Sequence, residues 1–361
     1  MDKKTLYLVL ENGKVFEGYA IGADGEAIGE TVFQTSVLGY NEIITDPKFC
    51  GQIVVQTFPL IGNYGIINEE LDSKKPSIAG YIVKSICDTP SNFREEGKLN
   101  DYLKKNNIVG LCGIDTRELT RLIRDNGTMN GKITSDISNL DATVNELKAY
   151  KNNVCLCKVS TDTIKEYKAE NEEFRVCMYD FGLTDSFIKC FTSMGISVTV
   201  VPHNKMAEEV ICMRPDGVVF SEGPGNPEDY NTAIEEIRKI ALTNIPLYAC
   251  GLGHQLLAMV FGGKTKKHAY GHRGSNQPVK DTKTNRIYIT NQNHGYIVDE
   301  NALPKDSEIS FINVNDKTIE GIRYADNKAI STQFMPNLCV GPHDTSFIIN
   351  EFKNMMKGDQ K

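Results

Sequence analysis

One strand-to-helix turn in this 361-residue chain has the residue types of a catalytic turn. An apolar segment, 245–250, leads into a second apolar segment, 252–257, through small residues. A nucleophile on such a turn occupies strained backbone, and the residues two before and two after it must be small because strand and helix approach closely. Ala249 and Gly253 meet that requirement only if Gly251 is the central residue. The spacing therefore predicts a nucleophile turn whose central residue has no side chain.

The neighbouring thiol of Cys250 is one residue out of register with this turn. A turn centred on Cys250 would have Tyr248 and Leu252 at the flanking positions, and both are too bulky for the close approach. We interpret Cys250 as a core residue at the end of a strand. The alternative is a displaced nucleophile, which would need a lowered thiol pKa and a substitute base within hydrogen-bond reach.

The other cysteines and the histidines do not predict a metal centre. The ten cysteines lie scattered in apolar runs without the paired spacing of a zinc site or a disulfide framework. The close pair Cys155 and Cys157 would share one face of a strand, and we predict a packing role for both. None of the six histidines belongs to a short-spaced metal motif with an acidic partner. We expect no metal site.

Composition excludes several classes of protein. The formal net charge is −7, from 40 Lys+Arg and 47 Asp+Glu, and no block of basic residues occurs, which disfavours a nucleic-acid partner. The longest apolar stretches are far shorter than the ~20 residues that cross a bilayer. The first residues lack a signal-peptide core. We expect a cytoplasmic protein with no membrane partner.

The segments around the turn predict two domains. A hairpin around Asn12-Gly13 opens a first part in which strands and helices are mixed. Residues 156–173 are charged and poor in large apolar groups, which is typical of a linker. Strand and helix segments alternate after it, which indicates a parallel sheet covered by helices. We predict an α/β protein with a mixed domain at 1–155, a linker at 156–173 and a parallel-sheet domain at 174–361.

Ordered motifs along nearly the whole chain resemble those of a known family. In the first half they are GETVFQTS (29–36), GYNEIITDP (39–47), IGNYG (61–65), SNFR (91–94) and GIDTR (113–117). In the second half they are YDFG (179–182), SEGPGNP (221–227), LGHQLL (252–257), GHRGSNQPV (271–279), NQNHGY (291–296) and GPHD (341–344). In these motifs the chain resembles the small, glutamine amidotransferase subunit of carbamoyl phosphate synthetase. The resemblance implies a C-terminal glutamine-amidotransferase-like domain and an N-terminal domain that docks on a large subunit.

The resemblance also assigns a catalytic triad. In the family a cysteine attacks the side-chain amide of glutamine, a histidine moves the proton, a glutamate orients the histidine, and ammonia passes to a large ATP-using subunit. The matching positions here are Gly251, Met335 and Asn337. Glycine has no side chain, a thioether takes up no proton at neutral pH, and an amide has no charge to stabilise an imidazolium. The family role in arginine and pyrimidine biosynthesis is therefore expected without the glutaminase step.

Other positions of the family's glutamine pocket are filled as the resemblance implies. Gly223 and Gly225 would let backbone N–H groups approach an oxyanion, although Gly-Pro-Gly is also an ordinary tight loop after a buried strand. The whole set is Ser36, Gly223, Gly225, Leu252, Gln255, Asn293, Gly295 and Tyr296. We expect the chain still to bind glutamine although it does not hydrolyse it. We interpret His254 and His294, which border this set, as structural residues.

One further departure lies at Thr184 and Ser186, where the family usually has a lysine and an asparagine. We predict a glutaminase-silent subunit that docks on a carbamoyl phosphate synthetase large subunit while free ammonia supplies nitrogen. The chain itself would hold no cofactor, because ATP and magnesium would belong to the large subunit. Two alternatives stay open: an active glutaminase that uses Cys250, and a stand-alone protein that binds glutamine or another metabolite.

Overall fold

The predicted hairpin opens the first of two units, Met1–Val154. The computed structural model describes residues 4–73, 75–152, 154, 156–324, 328–336 and 344–358. In it, strands β1 (Thr5–Leu10) and β2 (Val15–Gly22) pair antiparallel. Gly13 takes a φ of +85° in the connecting turn, a conformation that favours glycine.

This unit contains a closed barrel and a separate pair of short strands. The further strands of the unit are Ala27–Gln34 (β3), Gln52–Gln56 (β4), Leu60–Ile61 (β5), Gly80–Val83 (β6), Ser85–Ile86 (β7), Val109–Cys112 (β8) and Met129–Thr134 (β9). The helices are Tyr40–Thr45 (α1), Leu99–Lys105 (α2), Thr116–Asn126 (α3) and Leu140–Ala149 (α4). The barrel order is β1-β2-β8-β6-β4-β3-β9, and β5 pairs with β7 separately. Asp115 caps α3 by accepting hydrogen bonds from the N–H groups of Arg117 and Glu118.

The second unit, Cys155–Lys361, is built on one large sheet. Its strands are Lys165–Tyr167 (β10), Phe174–Asp180 (β11), Ile196–Pro202 (β12), Gly217–Phe220 (β13), Leu247–Cys250 (β14), Thr265–Asp281 (β15), Ile287–Val298 (β16), Ser307–Asn313 (β17), Ile319–Tyr324 (β18) and Ala329–Thr332 (β19). Its helices are Asp185–Thr192 (α5), Ala207–Cys212 (α6), Asn231–Ala241 (α7), Leu252–Val260 (α8) and Phe347–Lys357 (α9). The strand order is β10-β12-β11-β13-β14-β19-β18-β17-β15-β16.

The central strands of this sheet, β11 to β14 with β19, run parallel. Helices cover both faces, because successive residues of a strand point to opposite sides. Tyr179 packs with α6, α7 and α8 in one core cluster, and Met178 packs with α5 and α9 in the other. The predicted α/β class, with a mixed N-terminal part and a parallel C-terminal sheet, is confirmed. Among the described residues, no helix has both the length and the apolar composition needed to cross a membrane.

The structure differs from the sequence predictions between residues 156 and 173. The stretch predicted as a linker contains β10, which pairs antiparallel with β12 at the edge of the sheet. Lys165 and Glu166 are exposed and Tyr167 packs, partly buried, against the core, so composition alone gives little strand signal. The predicted strand around Cys157 is also wrong, because Leu156–Lys158 forms a 3-10 turn. Cys157 is disulfide-bonded, which corrects the predicted packing role, and Cys155 lies outside the described residues.

Candidate functional site

The turn from β14 into α8 has the backbone of a nucleophile turn. Gly251 takes φ +55° and ψ −114°, a conformation that side chains rarely adopt without strain. Its N–H donates to the carbonyl of Thr332 at 2.9 Å, which fixes the turn against β19. A Cβ on Gly253 would lie 2.3 Å from the carbonyl oxygen of Phe220, so a small residue is required there. The strand-to-helix approach that the spacing predicts is therefore present.

The space in front of Gly251 is lined by a carboxylic acid. A Cβ built on Gly251 would lie 2.9 Å from Cγ and 3.1 Å from Cβ of Glu222, which is only 5% exposed. Glu222 directly follows Ser221, after β13. The sequence patterns did not single it out, although it adjoins the Gly223 loop. A side chain at position 251 would displace Glu222, so the turn is packed around a glycine.

Cys250 has the surroundings of a core residue. It is fully buried, within a cluster that includes Tyr248 and Phe334. Its thiol donates to the carbonyl oxygen of Phe334 at 3.3 Å. A thiol that is closed off from solvent and directed at a carbonyl has no path to a substrate. This geometry supports the interpretation of Cys250 as a structural residue.

Met335 lies in the same apolar cluster and is 3% exposed. It forms an isolated antiparallel bridge with Asn291. The Oγ1 atom of Thr184 lies 4.0 Å from its Sδ atom, and Ser186 donates to Thr184 at 3.0 Å. The departures at 184 and 186 therefore lie beside Met335, the position to which the resemblance assigns the base. Asn337 lies outside the described residues.

The structure brings several predicted pocket residues together. A Cβ on Gly223 would lie 2.8 Å from Cδ2 of Leu252, so these two residues are in close contact. Gln255 donates to the carbonyl of Tyr296 at 2.7 Å and to Oε1 of Gln333 at 2.9 Å. The amide of Gln255 thus joins α8 to β16. That contact orients the strand that also includes Asn293 and Gly295.

Two other pocket residues have clear local roles. A Cβ on Gly225 would lie 2.2 Å from the hydroxyl oxygen of Tyr230, and the φ of Gly225 is +92°, so glycine is required on two grounds. Ser36 belongs to the first unit, where its hydroxyl donates to Oε1 of Gln34 at 3.3 Å. The glutamine-binding roles of Ser36 and the other pocket residues stay predictions.

His254 has the properties of a buried structural residue. It is fully buried on α8, and its Nδ1 atom lies 2.8 Å from the hydroxyl oxygen of Ser331. Burial lowers the pKa of His254 to about 3, so the ring is neutral at physiological pH. It does not reach the space in front of Gly251 through any hydrogen bond that the structure shows.

Comparison with known proteins places this site in a family. The model described as "Carbamoyl-phosphate synthase small chain, CPSase domain" matches residues 8–133, and the model described as "Glutamine amidotransferase class-I" matches residues 177–355. The carbamoyl phosphate synthase small chain of Clostridium perfringens is 48% identical over 345 residues, covering 96% of this chain and 97% of that protein. The chain belongs to the carbamoyl phosphate synthase small chain family.

Other small chains agree with this assignment. That of Oceanobacillus iheyensis is 43% identical over 358 residues, covering 99% of this chain and 97% of that protein. That of Fusobacterium nucleatum is 44% identical over 361 residues, covering 98% of this chain and 99% of that protein. The resemblance drawn from the motifs is confirmed at the level of the family. Within that small-chain frame, Gly251 and Met335 occupy a turn and a bridge whose backbone is intact.

Proposed function

We propose that this chain is a small subunit that docks on a carbamoyl phosphate synthase large subunit without hydrolysing glutamine. The observation that carries the proposal is the glycine at the centre of an intact nucleophile turn. Gly251 has the strained backbone of the turn and offers no atom that could attack an amide. The thioether of Met335 accepts no proton at neutral pH.

The size of the expected loss follows from studies of catalytic triads. Removing the nucleophile of a triad costs about a millionfold in kcat. At ~1.4 kcal/mol per factor of ten, that loss is about 8 kcal/mol of transition-state stabilisation. Oxyanion stabilisation and binding alone leave roughly 10³–10⁴-fold acceleration over water. This remaining glutaminase activity would be too low to supply ammonia at a useful rate.

The alternative nucleophile Cys250 is disfavoured by its surroundings. Its thiol is fully buried and donates to the carbonyl oxygen of Phe334. An attacking thiolate needs a nearby base and access to substrate. The buried histidine near the turn, His254, has its Nδ1 atom against the hydroxyl of Ser331 and not against the thiol of Cys250. Nitrogen would therefore come from free ammonia, which the large subunit would combine with its other substrates.

The proposal is tested by carbamoyl phosphate formation with glutamine or ammonium as the sole nitrogen source. The chain is paired with a carbamoyl phosphate synthase large chain, beside the Clostridium perfringens small chain as a reference. We expect product from ammonium, and from glutamine no more than the large chain gives alone. Comparable product from glutamine would overturn the loss of glutaminase activity.

Association of the two chains is measured in a separate experiment. Docking on the large chain and the absence of glutamine hydrolysis can then each be contradicted without the other. Analytical ultracentrifugation of the mixed chains is expected to show a complex of the two. A chain that stays apart from the large chain but binds glutamine in calorimetry would contradict docking and support a stand-alone binding protein. A Cys250→Ser variant that leaves both the product formed from glutamine and the association with the large chain unchanged would exclude Cys250 as a displaced nucleophile.

A further inference from the structure

A cluster of histidines and carboxylates lies away from the Gly251 turn. His272 of β15 and His294 of β16 are directly paired across the two strands. Glu320 of β18 comes close to both, and one ligand atom from each of the three lies within 4.8 Å of the others. All three residues are buried. Sequence spacing predicts no metal site here because these residues are far apart along the chain, and the fold brings them together.

The ring of His272 is oriented as a metal ligand would be. Its Nε2 atom lies 2.7 Å from Oδ2 of Asp316. When Nε2–H donates to this carboxylate, the lone pair is left on Nδ1. Nδ1 has no hydrogen-bond partner among the described residues and lies 3.4 Å from Oε1 of Glu320. Histidine ligands of metals characteristically donate their other N–H to a carboxylate or a carbonyl in this way.

His294 shows the same arrangement from the opposite side. Its Nδ1 atom lies 2.9 Å from the carbonyl oxygen of Tyr296, and its Nε2 atom lies 3.0 Å from Oε1 of Gln292. A carbonyl oxygen only accepts hydrogen bonds, so the N–H of the ring lies on Nδ1. With that N–H directed at Tyr296, the lone pair of Nε2 faces the oxygen of Gln292. A cation between these two atoms would turn a repulsive contact into two favourable ones.

The orientation of Gln292 is fixed by its own hydrogen bonds. Its Nε2 atom donates to Oε2 of Glu320 at 3.0 Å and to the hydroxyl of Thr290 at 3.1 Å. Turning the amide over would place its oxygen against the carboxylate of Glu320. The amide of Asn313 donates to Oε1 of Glu320 at 3.3 Å, which orients the carboxylate further. The donor atoms are therefore held in place by surrounding groups.

The charge and the spacing of the donors suit a divalent ion. The carboxylates of Asp316 and Glu320 lie 2.7 Å and 3.4 Å from the two ring nitrogens of His272, so they favour a positive charge at this point. The two carboxylates together balance a double charge. Tetrahedral zinc with bonds of about 2.0–2.2 Å separates its ligand atoms by about 3.4 Å. The 3.4 Å between Nδ1 of His272 and Oε1 of Glu320 matches that separation.

The neighbouring charged residues do not compete for this position. His268 accepts the N–H of Gly271 on its Nδ1 atom at 3.0 Å, so its proton is on Nε2, 3.3 Å from Asp316. It therefore supports Asp316 and offers no lone pair. Arg273 follows His272 on β15, and its Nη1 atom donates to the carbonyl of Tyr270 at 2.6 Å, so the guanidinium offers no lone pair either.

We propose that His272, His294 and Glu320 bind a divalent metal ion, preferentially zinc, with the amide oxygen of Gln292 as the fourth ligand. Two imidazoles with oxygen donors form a set that zinc accepts. The site is buried and closed, so the ion has a structural role in joining β15, β16 and β18. Residues 293 and 295 alternate with the ligands along β16, and the ion would therefore also fix the strand that includes the predicted glutamine-pocket positions.

Zinc retention by the full chain tests the proposal. The protein is stripped with a chelator, loaded with zinc, dialysed against metal-free buffer and analysed by mass spectrometry for bound metal. We expect one zinc per chain in the wild type and in His203→Gln, a control that removes a histidine outside the cluster. Glu320→Gln keeps the size of the side chain but removes the charged ligand, and it should retain almost none. Asp316→Asn should weaken affinity about 10–100-fold through the orientation of His272.

Two results would overturn the site. One is a wild type that retains no stoichiometric zinc, and the other is equal retention by Glu320→Gln. Because the chain contains ten cysteines, the wild type is also loaded with cobalt, and its visible spectrum is recorded. Nitrogen and oxygen ligation gives tetrahedral bands without thiolate charge transfer. A thiolate charge-transfer band would assign the metal to cysteines and contradict the proposal, whether or not the variants fold.

Discussion

Two regions of the second unit differ in their backbone geometry and in their reactive side chains. They are the turn at Gly251 and the histidine cluster of β15, β16 and β18. The turn has the backbone of a catalytic site, with a φ of +55° and a close strand-to-helix approach, but no reactive side chain at its centre. The cluster has two imidazoles and a carboxylate facing one another, on strands with no catalytic turn. Backbone geometry and reactive chemistry are thus separable in this protein.

The buried histidines of the two regions show the same contrast. His254, on the helix after the turn, is neutral because burial lowers its pKa to about 3. At His272 in the cluster, the carboxylates of Asp316 and Glu320 lie 2.7 Å and 3.4 Å from the ring nitrogens and favour a positive charge there, whether a proton or a metal ion carries it. Burial alone therefore does not decide the charge of a histidine. A nearby carboxylate also matters, and among the described residues His254 has the hydroxyl of Ser331 as its hydrogen-bond partner.

The largest expected effect comes from rebuilding the chemistry on the retained backbone. Gly251→Cys alone should stay silent, because nucleophile and base act as a unit. Adding Met335→His and Asn337→Glu should raise ammonia release from glutamine by at least about 10³-fold. Glu222→Ala should add to this gain, because it frees the space 2.9 Å from the new Cβ. Activity in Gly251→Cys alone would contradict the loss of the base, and an inactive quadruple variant would show that the turn has lost more than side chains.

The next largest effect concerns the backbone of the turn. Gly253→Ala places a methyl group 2.3 Å from the carbonyl oxygen of Phe220, and we expect a loss of about 3 kcal/mol in the free energy of unfolding. Gly262→Ala is the control, since its φ is +88° but its Cβ would meet open space. It should cost about 1 kcal/mol. Urea unfolding of both variants gives the comparison, and equal costs would show that the close approach does not constrain the turn.

The neutral, buried state of His254 predicts that the free energy of unfolding depends on pH. The unfolded chain binds a proton on His254 below about pH 6.5, whereas the folded chain does so only near pH 3. Stability is therefore present above pH 6.5 and falls as the pH falls towards 3, by about 2 kcal/mol between pH 6.5 and 5. His254→Asn should remove this part of the slope in urea unfolding at several pH values. Ser331→Ala, which keeps the histidine, should retain it.

The smallest expected effect is at the start of α5. Thr184 caps this helix by accepting the N–H of Phe187, and Thr184→Ala should cost about 1 kcal/mol in the free energy of unfolding. Thr184→Ser keeps the hydroxyl and should cost less. Equal losses in thermal unfolding would mean that the methyl group near Met335, not the cap, is what stabilises this position.

Sequence patterns predicted the parts of the fold that local rules decide. The hairpin at Gly13 and the strand-helix alternation after residue 174 both depend on neighbours in the chain. The long strands β15 and β16 show no continuous apolar pattern, because buried polar residues such as Gln292 interrupt it. The contact of Glu222 with position 251 and the meeting of His272 with Glu320 are long-range, and no spacing rule predicts them.

The edge strand β10 shows how a charged sequence can protect a sheet. Its two exposed residues, Lys165 and Glu166, lie on the outermost strand of the large sheet. An unpaired strand edge offers N–H and C=O groups to any other extended chain, and short, charged edge strands discourage such pairing. The composition that suggested a linker therefore acts against aggregation. The barrel of the first unit needs no such protection, because its strands close on themselves.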